Sequence, residues 1–211
     1  MIKGIIFDLD GTLLDSMDLW VRIDKEFLKK RGLEYTQDYS KAITAMEITE
    51  TAIYTINRYN LKESVSEVIS EWKEMAINEY KNSINLKEGV TNFLNHLKEK
   101  GIKIAIATSS SKDFFIPCLE RHNILNFFDV IVTSSDVGIG KSSPKIYFHA
   151  ASKLGLSDNE CVVFEDLPLA LKCAKSAGFY TVGVYDEFNK EDSAQIKKYS
   201  DKVISSFLQL I

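Results

Sequence analysis

The stretch KGIIFDLDGTLLDS, residues 3–16, joins an apolar run to a group of acidic residues. Its first part is a short run of apolar and β-branched residues, which is typical of a strand buried on both faces of a parallel sheet. Its second part carries the carboxylates of Asp8, Asp10 and Asp15. Because side chains alternate along an extended chain, Asp8 and Asp10 project to one side and Leu9 to the other. The stretch therefore predicts a buried strand that ends in two acids facing one cavity.

Further segments of the chain share the character of this first strand. They are short, rich in β-branched or aromatic residues and nearly continuous in apolar residues. With the first strand, the predicted strands are 3–8, 102–108, 129–133, 161–165 and 180–185. Between them lie helical patterns, several of them bounded by Pro or Gly, at 88–100, 111–123, 144–155 and 168–178. The alternation predicts an α/β fold, a doubly wound Rossmann-like parallel sheet with helices on both faces.

The interval 16–85 interrupts this alternation, because it contains amphipathic helical patterns and no clear strand. The predicted helices lie near 17–31, 40–59 and 64–82. A single right-handed crossover usually needs one helix, so we interpret 16–85 as an all-helical cap domain inserted into a core formed by 1–15 and 86–211. The alternative is that these helices pack only on the sheet. We expect Asp15 and Ser16 to cap the first of them.

The composition of the 211 residues excludes several classes of function. The net charge is −4 and no basic stripe is present, which disfavours a nucleic-acid partner. No apolar run reaches the ~18–20 residues of a membrane helix, and the N-terminus lacks a signal-peptide pattern. We therefore expect a cytoplasmic protein without a membrane partner, as a monomer or weak homo-oligomer. The cysteines, Cys118, Cys161 and Cys173, lack paired spacing and are interpreted as reduced core residues.

Acidic residues follow two of the predicted strands at the edge where ligands of open α/β sheets bind. Asp8 and Asp10 end the first strand, and Glu165 and Asp166 end another. Two unit charges ~4 Å apart repel by roughly 4 kcal/mol at an effective dielectric of 20, so a cation is expected among them. Mg²⁺ is favoured because it uses one or two carboxylates and leaves room for water and a substrate phosphate.

A phosphate site is predicted beside these acids. Thr108, Ser109 and Ser110 lead from a strand into a helix, where backbone N–H groups and hydroxyls can bind an anion. Lys141, on a loop with flanking glycines, supplies a positive charge. Taken singly, the hydroxyl cluster could be only a helix N-cap and Lys141 an ordinary surface lysine. Together with the acids, these residues indicate phosphoryl transfer.

The sequence resembles the haloacid dehalogenase-like superfamily, in its β-phosphoglucomutase-like phosphatase branch. DLDGT at 8–12 is similar to the DxDGT motif of that family, and FED at 164–166 to its acidic fourth motif. Thr108 corresponds to the Ser or Thr of the second motif and Lys141 to the lysine of the third. The motifs occur in the order of the family and at appropriate strand ends.

The resemblance implies a role for each of these residues. Asp8 would be the nucleophile that forms an aspartyl-phosphate, and Asp10 the general acid and then the general base. Mg²⁺ would be held by the side chains of Asp8 and Asp166 and the carbonyl of Asp10, with Glu165 as a direct or water-mediated ligand. The residues implied to bind phosphate are Thr108, Ser109, Ser110 and Lys141. A dehalogenase is disfavoured, because a halide leaves without the proton that Asp10 supplies.

The implied activity is hydrolysis of a small phosphorylated metabolite, a sugar or polyol phosphate, by a phosphatase. An alternative is a β-phosphoglucomutase-like phosphosugar mutase, but such mutases carry a cap histidine where this chain has Trp20. Trp20 is accordingly a candidate substrate-binding residue, or else a hydrophobic residue that only holds the cap helix. A third interpretation is a catalytically inactive binding or regulatory protein on the same scaffold.

Overall fold

The structure is a computed structural model that describes residues 1–43 and 46–211. The chain divides into two compact units. The core unit comprises Met1–Met17 and Ile84–Ile211, and the helical unit comprises Asp18–Ser83. Among the described residues, no helix combines the length and the apolar character needed to span a membrane.

The secondary structure of the core unit alternates between strands and helices. The strands that the structure describes are β1 (Gly4–Phe7), β2 (Leu14–Asp15), β3 (Asn85–Leu86), β4 (Lys103–Thr108), β5 (Val130–Thr133), β6 (Cys161–Glu165), β7 (Tyr180–Val184) and β8 (Lys202–Ile204). The described α-helices are α1 (Leu19–Lys30), α2 (Gln37–Ile43), α3 (Ile48–Tyr59), α4 (Val65–Asn82), α5 (Val90–Glu99), α6 (Lys112–Arg121), α7 (Ser134–Val137), α8 (Lys145–Leu154), α9 (Pro168–Ser176) and α10 (Ser193–Tyr199). The first four helices belong to the helical unit.

A six-stranded parallel sheet with the order β5-β4-β1-β6-β7-β8 forms the centre of the core unit. β1 lies inside it, with Ile6 in register with Ala105 of β4 and Val163 of β6. The predicted doubly wound α/β sheet is therefore confirmed, with the first strand at an interior position. Because all six strands are parallel, their carboxyl ends meet at one edge of the sheet.

The two faces of β1 are covered by different side chains. Ile6 belongs to a buried cluster with residues of α8, including Ile146 and Tyr147. Phe7 points to the other face and packs on Phe164, with 4.9 Å between the ring centroids. Burial on both faces explains why the strand is continuously apolar rather than alternating.

Some sequence-based expectations are wrong in detail. The single helix predicted at 40–59 is interrupted, because Glu47 has an extended backbone and forms a capping box with Glu50 that starts α3 at Ile48; residues 44–45 lie outside the described part of the chain. The edge strand β8 was not predicted, because only Val203 and Ile204 mark it as apolar. Such a short edge strand offers little hydrophobic pattern to read.

The expected capping by Asp15 and Ser16 is also wrong. Asp15 lies in β2 and pairs with Asn85 of β3, so that two segments near the unit boundary form a short antiparallel ribbon. The helix α1 begins after Asp18, whose side chain makes no capping hydrogen bond. Ser16 donates a hydrogen bond elsewhere, to Asp10.

The helical unit buries a carboxyl group. Its helices α1 and α3 both pack on α4, where Phe27 meets Trp72 edge to face at 5.4 Å. Asp24, on the same helix as Phe27, is 8% exposed. Burial raises the pKa of Asp24 to about 7, because the charged form loses its hydration.

Asp24→Asn should remove a pH dependence from the stability of the helical unit. The pKa of Asp24 is higher in the folded protein than the ordinary 3.8, so its contribution to stability is complete below pH 3.8 and is lost as the pH rises through about 7. Relative to wild type, the variant should gain about 2–3 kcal/mol between pH 5 and pH 8. Urea unfolding of both proteins at the two pH values measures this difference.

The matched control is Asp38→Asn, which changes an exposed carboxylate in the same unit. We expect its difference from wild type to stay the same at both pH values. A constant difference for Asp24→Asn as well would contradict the assignment of a raised pKa to Asp24.

Candidate active site

Asp8 lies directly after β1, at the carboxyl edge of the sheet. Its backbone N–H donates to the carbonyl of Phe164 at 3.0 Å, which continues the β1–β6 ladder by one residue. The residue is 5% exposed. The position of this carboxylate is therefore fixed by the sheet rather than by a mobile loop.

The chain turns sharply after Asp8. The N–H groups of Thr12, Leu13 and Leu14 all point at the carbonyl of Leu9, at 3.2, 2.9 and 2.8 Å. Gly11 adopts φ +80° in this turn, and a Cβ there would collide with the carboxylate of Asp166. Gly11 is therefore required for two reasons: its φ is positive, and the carboxylate of Asp166, just after β6, leaves no room for a Cβ.

The carboxylate of Asp10 is held by two hydroxyl groups. Its Oδ1 accepts a hydrogen bond from Ser16 at 2.7 Å, and its Oδ2 accepts one from Ser110. Ser16 precedes the boundary of the helical unit, and Ser110 follows β4. Asp10 is half-buried.

The hydroxyl groups at the end of β4 and just after it have different hydrogen-bond partners. Thr108 is buried, and its Oγ1 accepts a hydrogen bond from the N–H of Ser110 at 3.0 Å. The hydroxyl of Ser109 is exposed and lies 2.9 Å from that of Ser134. Ser111 occupies the N-cap position of α6 without a capping hydrogen bond from its side chain. The start of α6 therefore keeps backbone N–H groups that can bind an anion.

Lys141 lies between two carboxylates. Its ammonium donates to Oδ1 of Asp8 and to Oε1 of Glu165, and the residue is only 9% exposed. The alternative of an ordinary surface lysine is therefore wrong. Burial by itself would lower the pKa of Lys141, but the charges of Asp8 and Glu165 and their hydrogen bonds raise it above its usual value. The side chain is a fixed positive charge at this edge of the sheet.

Three buried carboxylates surround this ammonium. Asp8, Glu165 and Asp166 each offer one oxygen, and these oxygens lie within 4.8 Å of one another. Burial raises the pKa of Asp8 to about 7, with Lys141 opposing the shift and Glu165 and Asp10 adding to it. Burial also raises the pKa of Asp166 well above its usual range, and the charges of Asp8 and Glu165 raise it further. One lysine does not balance this cluster.

The side chain of Asp166 fits a metal site. Both of its oxygens are buried, and within residues 1–43 and 46–211 neither has a hydrogen-bond partner. A buried carboxylate without donors is strongly unfavourable unless a proton or a cation compensates it. Oxygen ligands of this kind suit a hard divalent cation, so the donor set of Asp8 and Asp166 is compatible with one.

Two residues that the sequence did not single out contribute to the site. The hydroxyl of Tyr147, on α8, donates to Oε1 of Glu165 at 3.0 Å. The amide of Asn189 is buried; its Nδ2 donates to the carbonyl of Asp166 at 3.3 Å, and its Oδ1 accepts from the N–H of Asp186 at 3.0 Å. A tyrosine among the apolar positions of an amphipathic helix was the available signal for Tyr147. We find no comparable pattern around Asn189.

Trp20 is the one predicted site residue that belongs to the helical unit. It lies on α1 and is 46% exposed, so it is not a buried residue that holds this helix in place. The other predicted site residues, in contrast, lie at or just after the carboxyl ends of β1, β4 and β6, or in the loop between α7 and α8. Within this group, direct contacts join Asp8 to Lys141, Lys141 to Glu165, and Asp10 to Ser110.

Known proteins share this arrangement of elements. The family model for haloacid dehalogenase-like hydrolases matches residues 5–184. The chain is 29% identical over 189 residues to the phosphorylated carbohydrates phosphatase of Thermotoga maritima, covering 89% of this chain and 88% of that protein. It is 31% identical over 186 residues to hexitol phosphatase A of Escherichia coli, covering 86% and 82%. The crystal structure of a provisionally named β-phosphoglucomutase from Thermotoga maritima is similar with a TM-score of 0.89 and 26% identity, over 99% of this chain and 98% of that one.

A parallel sheet whose carboxyl edge carries DLDGT, a buried lysine and a second pair of acids defines a class of hydrolases. The chain belongs to the haloacid dehalogenase-like hydrolase family. The family resemblance and the hydrolase class predicted from the four motifs are confirmed.

Proposed function

We propose that the protein is a Mg²⁺-dependent phosphatase that hydrolyses a small sugar or polyol phosphate through an aspartyl-phosphate. The observation that carries this proposal is the contact between Lys141 and Asp8 beside the carboxylate of Asp166, which has no hydrogen-bond partner in the described part of the chain. A nucleophile, a fixed positive charge and a cation site then share one buried edge. The named activities of the Thermotoga maritima and Escherichia coli relatives support the choice of a phosphorylated carbohydrate or hexitol as the substrate class.

In this proposal Asp8, Asp166 and the backbone carbonyl of Asp10 hold the cation. When bound, Mg²⁺ would supply positive charge to the phosphate oxygens and to the nucleophile. Burial, and in addition the repulsion among the carboxylates, raises the pKa values of Asp8 and Asp166, and a bound cation would stabilise their charged forms.

The reaction then proceeds in two displacements. An oxygen of Asp8 attacks phosphorus, and the bond between phosphorus and the leaving oxygen breaks while Asp10 donates a proton to that oxygen. In the second displacement, water attacks the phosphorus of the aspartyl-phosphate while Asp10 accepts a proton from the water. The bond between phosphorus and the Asp8 oxygen breaks, which releases inorganic phosphate and regenerates the Asp8 carboxylate. Lys141 neutralises negative charge in both displacements, because it already contacts Asp8.

The remaining candidates would bind the substrate. The residues proposed to contact the phosphate, besides Lys141, are Thr108, Ser109 and Ser110. Ser110 also holds Asp10, so it would connect phosphate binding with the orientation of the acid. We propose that the helical unit acts as a cap over the site and that Trp20 contacts the substrate.

A phosphosugar mutase is the second candidate, and the similarity to the provisionally named β-phosphoglucomutase favours it. Trp20 at the place of the cap histidine favours the phosphatase. Incubation with β-glucose 1-phosphate and a trace of its 1,6-bisphosphate separates the two, because only the mutase forms glucose 6-phosphate. Formation of glucose 6-phosphate faster than release of inorganic phosphate would contradict the assignment as a phosphatase and favour the mutase.

Hydrolysis of p-nitrophenyl phosphate and a panel of sugar and polyol phosphates tests the proposed function. Removal of divalent cations with EDTA should lower phosphate release by at least about 100-fold, because the charge of the acidic cluster is then uncompensated. Added Mg²⁺ should restore the activity. Phosphate release that persists unchanged in EDTA would contradict the proposed metal dependence. A failure to release phosphate from all of these esters would contradict the assignment as a phosphatase.

A further inference from the structure

We propose that Tyr147 is a positioning residue for this reaction, because its hydroxyl fixes the Glu165 carboxylate that in turn holds Lys141 beside Asp8. The inference rests on the proposed phosphatase function and adds to it a residue outside the four motifs. Three observations support this inference: the hydrogen bonds of Glu165, the burial of Tyr147, and the position of Lys141 between two carboxylates.

Both oxygens of Glu165 are used by donors of this chain. Oε1 accepts hydrogen bonds from Lys141 and from the hydroxyl of Tyr147. Oε2 accepts from the N–H groups of Asp166 and Leu167, at 3.2 and 3.4 Å. Glu165 is fully buried, so water does not compete for these positions. Asp166, in contrast, has no donor on either oxygen within the described residues. The two neighbouring acids therefore have different tasks: Asp166 is available to a cation, and Glu165 holds Lys141.

Tyr147 is held in turn by close packing inside the core unit. It is fully buried in the first turn of α8, which packs on β1, β4 and β5. Its ring meets Phe179 edge to face at 6.1 Å. A side chain with its ring fixed in this way presents the hydroxyl at one place, which is the requirement for orienting a second group.

The position of Lys141 depends on the balance between the two carboxylates that accept hydrogen bonds from its ammonium. Asp8 and Glu165 both accept from it, and each attracts it. The hydroxyl of Tyr147 satisfies part of the negative charge on Oε1 of Glu165. Without that hydroxyl, Glu165 has Lys141 as its remaining side-chain donor and draws the ammonium away from Asp8. The phosphate that binds next to Asp8 then meets less positive charge.

Tyr147→Phe tests this role, because it removes the hydroxyl and keeps the ring. With p-nitrophenyl phosphate we expect kcat/KM to fall about tenfold, the size of one hydrogen bond to a charged group. The Ki of inorganic phosphate should rise about threefold to tenfold, since phosphate binding depends on Lys141. A merely structural role would lower the fraction of folded enzyme and leave Ki unchanged. An unchanged Ki would overturn the inference.

The matched control is Tyr39→Phe in the helical unit. Tyr39 is also fully buried, and its hydroxyl is 2.8 Å from that of Thr55, so this variant loses one buried hydrogen bond without affecting Glu165. We expect Ki and kcat/KM of the control to stay within about twofold of wild type. Equal changes of Ki in both variants would show a general effect of destabilisation and would overturn the role of Tyr147.

Glu165→Gln and the double variant test whether Tyr147 acts through Glu165. If it does, adding Tyr147→Phe to Glu165→Gln should cost less than about threefold, because Glu165 no longer draws the ammonium with a full charge. A further tenfold loss would show independent action and overturn the proposed route. If Glu165→Gln does not fold, the Ki of inorganic phosphate for Tyr147→Phe still tests the role of Tyr147.

Wild-type hydrolysis is measured first. Its absence contradicts the proposed function, whereas wild-type turnover with an unaffected Tyr147→Phe contradicts this inference alone.

Discussion

Asp8→Asn should lower kcat for p-nitrophenyl phosphate by at least about four orders of magnitude, because an amide cannot form the acyl phosphate that both displacements require. The loss should be the same for sugar phosphates, since the nucleophile is common to every substrate. Persistent turnover in this variant would contradict the proposed aspartyl-phosphate.

The loss should not come from unfolding. Burial raises the pKa of Asp8 in the folded protein to about 7, above its ordinary 3.8, so the stability linked to this group is lost as the pH rises through about 7. Asn has no charge to bury, and at pH 8 the variant should unfold at a urea concentration no lower than wild type. Asp15→Asn is the matched control, because Asp15 is an exposed carboxylate of the same stretch and should keep wild-type activity.

Asp10→Asn should have a large effect that depends on the leaving group. For a sugar or polyol phosphate, whose alkoxide needs a proton, we expect kcat to fall by on the order of 10²–10⁴. For p-nitrophenyl phosphate the loss should be much smaller, because p-nitrophenolate leaves with little help from an acid. Measuring kcat for both substrates in wild type and variant gives the comparison.

The hydroxyl contacts of Asp10 make this test specific. At an Asn in this position one of the two serines, Ser16 or Ser110, can donate to the carbonyl oxygen and the other can accept from the amide Nδ2, so the orientation of the side chain should change little. Asp15→Asn serves again as the control and should leave the ratio of the two substrates unchanged. Equal losses on both substrates would exclude Asp10 as the general acid.

The sheet could be predicted because its strands are buried on both faces. A strand such as β1 must be continuously apolar, and this pattern is visible in the sequence without knowledge of its neighbours. β8 was not predicted, because an edge strand with an exposed face needs few apolar residues. The predicted helix at 40–59 failed for another reason: helical periodicity continues across it, and the capping box of Glu47 and Glu50 decides where α3 begins.

The expectation for Ser16 failed because local and tertiary contacts compete. A serine close to a helix start is a reasonable N-cap on local grounds. In the folded chain its hydroxyl lies instead against Asp10, in a turn held by the carbonyl of Leu9. Ser110, which precedes the N-cap residue Ser111 of α6, also donates its hydroxyl to Asp10.

The parallel sheet, the acids at the end of β1 and the residues that match the four family motifs could all be recognised from the sequence. These features depend on short segments, in which burial and alternation constrain each residue directly. Three features follow from tertiary contacts alone: Lys141 is buried between Asp8 and Glu165, Asp166 has no donor among the residues that the structure describes, and Tyr147 contacts the site. Lys141 is 133 positions from Asp8 along the chain, and which donors reach which carboxylate is settled by the packing of α8 and β6 against β1. Local pattern carries no information about such contacts, because they form only when the sheet brings distant strand ends to one edge.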